Sequence, residues 1–131
     1  MTLLAVFIVL WELVAGQISV ISTPGAVQFT DLYGSERQAE AALECRAGGS
    51  PVLYLSPTAD IETIVHELAH AYDCLDDGRM NASPMGAPRP DQRPAWVSDY
   101  CWNTDAEWYA CSVVRTRSAH PAAPSGPARP G

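Results

Sequence analysis

The chain has 131 residues, which is enough for one domain. Apolar residues make up 47% and charged residues 18%, a balance that supports a packed core and excludes a chain disordered throughout. Fifteen acidic residues face eight Arg and no Lys, for a net charge of −7 with no basic cluster, which argues against a nucleic-acid partner.

In chain order, the first predicted element is apolar. Every residue from Leu3 to Trp11 is apolar, and no Arg precedes Arg37. Residues 1–22 read as a separate N-terminal segment, either a signal peptide or membrane anchor, or else a buried helix or strand of the domain itself. The export reading lacks the positively charged flank that normally leads a signal peptide. As a membrane span, residues 2–21 reach the ~20 residues required. Glu12 at the centre would cost roughly 2.5–3.5 kcal/mol.

The body of the chain, residues 23–117, carries three legible elements before its last helix. Ser35-x-x-Gln38 has capping-box spacing, and Ala39, Ala42 and Leu43 form a mild apolar stripe. Together they predict a helix from Ser35 that Gly48-Gly49 ends. Pro51-Val-Leu-Tyr-Leu55, bounded by Ser56-Pro57, predicts a short strand. Ser56 then reads as an N-cap with Pro57 at the first helical position. Ile61, Ile64, Val65, Leu68, Ala69 and Tyr72 recur on one helical face, and Gly78 is the stop, so a helix is predicted over 57–77. Residues 79–99 hold four Pro and little periodicity, predicting a long loop that lines one wall of a cleft. A final helix is predicted from Asp105 to Arg117 with Thr104 as its N-cap. The closing residues 118–131, with four Pro, four Ala and two Gly, predict a disordered tail.

The chemistry lies on the best-defined helix, in His66-Glu67-Leu68-Ala69-His70. Two His four residues apart stand one above the other on the same face, so both imidazoles can grip one metal ion. Glu67 projects about 100° round the helix from His66, where it can take a proton from a water without occupying the metal. Such a site wants a third protein ligand. Asp76 stands ten residues after His66, the metzincin offset, but position 73 is Asp where that turn needs Gly. An unbroken helix would carry Asp76 past the metal. Glu107 is the other candidate, delivered from the final helix, although Thr104-x-x-Glu107 also has capping-box spacing. Asp73 is placed to accept the second ring N–H of a ligand His, with a solvated helix-end carboxylate as the alternative. Cys45, Cys74, Cys101 and Cys111 allow three pairings. One candidate bridge, Cys74 to Cys101, would clamp the long loop to the active helix.

His66-Glu-Leu-Ala-His-Ala-Tyr-Asp73 and Tyr100-Cys-Trp-Asn-Thr-Asp-Ala-Glu107-Trp-Tyr-Ala110 together resemble the gluzincin zinc metallopeptidases, the group that includes the catalytic domain of anthrax lethal factor. In that family the motif is followed by Asp three residues on. The third ligand lies in an Ala-Glu-aromatic-aromatic-Ala run, with a catalytic Tyr seven residues before the Glu. The resemblance covers about 20 residues in two blocks and departs at Cys111, where relatives carry an acid. It implies zinc on His66, His70 and Glu107, Glu67 as general base, and Tyr100 as a donor to the oxyanion or leaving amine.

The expectation is an α+β, minimal zincin-like domain: a short sheet packed on the motif helix, and a second helix bringing Glu107. Its activity would be zinc-dependent hydrolysis of a peptide or protein substrate. The alternatives are a metzincin-like site using Asp76, a zinc-binding domain without turnover, and an interaction protein anchored in a membrane through residues 1–21.

Overall fold

A computed structural model describes residues 2–30, 34–46, 48–81 and 89–118. The expected disordered tail lies outside the described residues from 119 onward, as does the 82–88 part of the loop. The architecture is α+β.

Helix α1, Leu3–Val14, is capped by Thr2, whose Oγ1 accepts the Ala5 N–H at 3.1 Å. Val6, Leu10 and Val14 recur every fourth residue, and that stripe is buried against the rest of the chain. The apolar segment thus contributes one face to the core, while Leu4, Ile8, Val9 and Leu13 remain exposed on the other. Among the described residues no helix is long and apolar enough to cross a membrane.

Two sheets follow. Strand β1 (Ser19–Ser22) runs parallel to β5 (Val52–Leu55), and β4 (Ala41–Glu44) pairs antiparallel on the other side of β5. The register sets Ser19 opposite Val52 and Ala41 opposite Leu55. The central strand β5 is the one predicted from Pro51–Leu55, and its buried Val52 and Leu53 explain the unbroken apolar run. Strands β2 (Val27–Thr30) and β3 (Glu36–Ala39) form a separate antiparallel pair.

The helix predicted from Ser35 to Gly48 is therefore corrected to two strands, β3 and β4. Helix formers such as Glu36, Arg37, Gln38 and Ala39 stand opposite β2, and Ala41 to Glu44 opposite β5. Ladder pairing with distant segments overrides a weak local propensity. Glu40, between the two strands, accepts hydrogen bonds from the hydroxyls of Ser56 (2.6 Å) and Thr58, and its carbonyl accepts the Ser56 N–H at 2.9 Å.

Those bonds also relocate the start of the motif helix. Ser56 is committed to Glu40, so it does not cap. Helix α2 runs Ile61–Asp77, with Asp60 as the N-cap accepting the Thr63 N–H at 2.8 Å. At the other end Gly78 closes α2 as predicted, in the left-handed conformation with φ +77° and its N–H on the Cys74 carbonyl at 2.7 Å. Helix α2 lies at the centre, packed by α1, by the sheet and by the last helix, with Val65, Leu68 and Ala69 fully buried.

A short helix α3, Asp99–Asn103, leads into α4, Asp105–Ser118. Tyr109, Ala110 and Val113 of α4 complete the main core. The described part of the long loop is fastened to this helical pair. Arg89 pairs with Asp105 and stacks over Trp102 at 4.5 Å, and Arg93 pairs with Asp99. Two disulfides form, Cys45–Cys74 and Cys101–Cys111, so the Cys74–Cys101 bridge is not made. Cys45 leaves β4 where that strand lies on α2, and Cys101 meets Cys111 across the α3–α4 turn. Both choices follow from packing that sequence spacing does not show.

Candidate metal centre

Helix periodicity sets the geometry. His66 and His70 stand one turn apart on α2, with ring centroids 4.9 Å apart. Leu68 on the opposite side of the same helix, with Val65 and Ala69 beside it, is fully buried and fixes its rotation. Across from them, Thr104 Oγ1 accepts the Glu107 N–H at 3.1 Å and starts α4. The Glu107 carboxylate does not turn back to that cap but faces the two rings. Its Oε1 lies 2.9 Å from His66 Nε2 and 2.8 Å from His70 Nε2.

One donor atom from each of the three residues thus lies within 4.8 Å of the others, a set able to hold a metal ion. Two imidazole nitrogens and one carboxylate oxygen match the donor chemistry of zinc sites that keep an open position. Burial by itself would push the Glu107 carboxyl up, but its hydrogen bonds to His66 and His70 hold it well below the usual carboxylate range. The carboxylate is therefore ionised at neutral pH, the state a metal ligand requires.

Glu67 points elsewhere, as its angular offset requires. It is 9% exposed, and the backbone N–H of Leu43 in β4 faces its carboxylate. Burial pushes it up to about 7; the His66 ring lowers it, and the Glu107 carboxylate raises it further. Tyr100, on α3, has its ring centroid 6.1 Å from that of His66 and is 58% exposed over the whole residue. Its hydroxyl end is nonetheless shielded and faces Glu107, and both effects hold the phenol above its ordinary value.

Three of the sequence-predicted residues, His66, His70 and Glu107, therefore meet at one place, with Tyr100 beside them and Glu67 near enough to feel the charges of His66 and Glu107. Asp76 does not join them. It is exposed in the last turn of α2, because the helix continues unbroken to Asp77. Asp73 is completely buried on α2, but the hydrogen bond expected from a ligand ring is not made by His70, whose Nδ1 has no hydrogen-bond partner among the described residues. The His70 ring is turned to present Nε2 to Glu107. The other candidate ring meets a sulfur: His66 Nδ1 lies 3.8 Å from Cys111 Sγ. Two neighbours were missed from sequence, the Leu43 backbone and this Cys111 contact. Only the second left a trace, since Cys111 stands one turn after Glu107 on the same helix.

Comparison with protein-family models, curated proteins and solved structures finds no match.

Proposed function

We propose that this chain is a zinc-dependent metallopeptidase, with His66, His70 and Glu107 as ligands and Glu67 as the general base. The observation that carries the reading is the convergence of both His Nε2 atoms on one Glu107 oxygen, with a buried carboxyl of raised pKa on the same helix turn. A structural metal site closes its coordination with protein atoms, whereas three ligands beside an unused acid fit catalysis. Zinc bound there supplies Lewis acidity, polarising a carbonyl and acidifying a water.

The protein residues do the rest. Glu67, poised near neutrality, takes a proton onto its carboxylate from the attacking water and returns it to the leaving amine. The Leu43 N–H steadies the ionised form of Glu67 between the two transfers. Tyr100 keeps its proton at working pH, because its phenol is raised, and offers it as a hydrogen bond to the developing oxyanion. Glu107 stays ionised and holds both imidazoles in one orientation.

The test is elemental analysis of zinc on purified wild type, His66→Ala, Glu107→Gln, Asp76→Asn and Glu67→Gln, followed by peptide-library cleavage. Wild type, Asp76→Asn and Glu67→Gln are expected to hold one zinc per chain, and the two ligand variants to lose it. Glu67→Gln is expected to cut turnover by ~10²–10⁴-fold while keeping the metal. A folded wild type that takes up no zinc would refute the reading. Full zinc with no difference between wild type and Glu67→Gln on any peptide would instead leave a metal-binding domain without turnover.

A further inference from the structure

The Cys101–Cys111 disulfide meets three parts of the candidate centre at once. Cys111 lies one turn after Glu107 on α4, and Cys101 directly follows Tyr100 on α3; both are buried. Cys111 Sγ approaches His66 at Nδ1, the nitrogen across the ring from the Nε2 that faces Glu107. Around the bond, Val97, Trp96, Trp102 and Trp108 form a small core distinct from the main one. Helix α3 has only five residues, too few for a helix to hold itself. Covalent attachment to α4 joins the Ser98 cap, the Arg93–Asp99 pair and the Trp-lined core in holding it.

We propose that the Cys101–Cys111 disulfide is a positioning element of this metal centre. Through Cys111 it sets the His66 ring from behind, and through Cys101 it keeps Tyr100 beside Glu107. The inference rests on His66, His70 and Glu107 being metal ligands. With Nε2 committed to a metal, the His66 proton resides on Nδ1 and points at the sulfur. Sulfur is a weak acceptor, but an enclosed one, and groups behind a ligand His set the orientation on which affinity depends. The other disulfide, Cys45–Cys74, joins β4 to α2 and provides the comparison: it closes a longer loop, and its Cys45 Sγ lies 3.5 Å from the Gly78 carbonyl oxygen at the far end of α2.

The experiment measures zinc affinity by competition with a chromophoric chelator, together with the imidazole ¹⁵N–¹H resonances of His66. It uses wild type, the double variant Cys101→Ala/Cys111→Ala, and Cys45→Ala/Cys74→Ala, each checked for fold by circular dichroism. The first pair is expected to weaken zinc binding roughly tenfold or more and to shift the His66 resonances. The second is expected to lower the melting temperature while leaving zinc affinity and the His66 resonances near wild type. Unchanged affinity in the first pair, or an equal loss in both, overturns the proposal. If the alanine pair does not fold, Cys101→Val/Cys111→Ala keeps more apolar volume and is judged by the same outcomes. A wild type without zinc affinity removes the metal-centre reading by itself. The His66 resonances of the metal-free proteins then still decide whether the disulfide positions that ring, and unshifted resonances overturn it.

Discussion

Glu67 sits in the core with its carboxyl almost fully covered, so its protonation is tied to folding. Its folded pKa is about 7, against 4.5 for the free side chain, with burial as the main cause. Below about pH 4.5 the carboxyl is neutral in both states and carries no penalty. Between 4.5 and 7 the unfolded chain releases the proton while the folded one retains it, so stability falls as pH rises through that window. Above about 7 the folded protein holds a buried anion, at a cost on the order of 3 kcal/mol. In metal-free protein, Glu67→Gln is therefore expected to melt above wild type at pH 8 and close to it at pH 4, as scanning calorimetry after chelation would measure. A constant difference between the two across that range would contradict the burial argument. The residue scale is also where the sequence was most legible. The His66, Glu67 and His70 directions follow from helical spacing, a local property. Glu107 needed a second helix and a distant fragment of motif. The Leu43 contact was invisible and the Cys111 contact left only its spacing from Glu107, since strand β4 and helix α4 reach α2 through tertiary packing.

At the scale of elements, α1 is the instructive case, because its sequence is apolar all round and gives no direction for its buried face. The structure supplies one: Leu10 is 2% exposed and Leu4 58% exposed on the same helix. Leu10→Ala is expected to destabilise the protein by about 2–5 kcal/mol in urea melts, and Leu4→Ala by about 0.5 or less. Equal small effects would mean that α1 is not part of the cooperative unit. Elements with strong local signals were readable, namely the α2 stripe with its Gly78 stop, the apolar β5 run, and α4 after Thr104. Residues 36–44 were misread because Glu, Gln and Ala favour helix, and the strands there are held by partners on other strands, outside the reach of local propensity. The α2 start was misplaced by four residues for a related reason: Ser56 looked like a free cap until Glu40 claimed its hydroxyl.

For the whole molecule, the consequence of the proposed ligand set is mechanical. His66 and His70 belong to α2, whereas Glu107 belongs to α4, which follows after α3 and a loop tied down by exposed arginine pairs. Exposed ion pairs contribute little each. What secures α4 near its start is therefore the Trp-lined small core, the Cys101–Cys111 bond and the shared contact of Glu107 with both rings. A metal held by both helices binds the folded chain and not the unfolded one, so it stabilises by mass action, about 2.7 kcal/mol at a hundredfold excess over Kd. In a domain of this size that corresponds to a melting shift of roughly 10 °C. Chelator is accordingly expected to lower the wild-type melting temperature by about that amount, and to leave Glu107→Gln unmoved. The variant alone is expected to melt at or below chelated wild type, because it loses the metal and also weakens the contact of Glu107 with both rings that metal-free wild type keeps. If chelator lowered the melting of Glu107→Gln as far as that of wild type, a metal would be held without α4, and the coupling of the two helices through the site would be refuted.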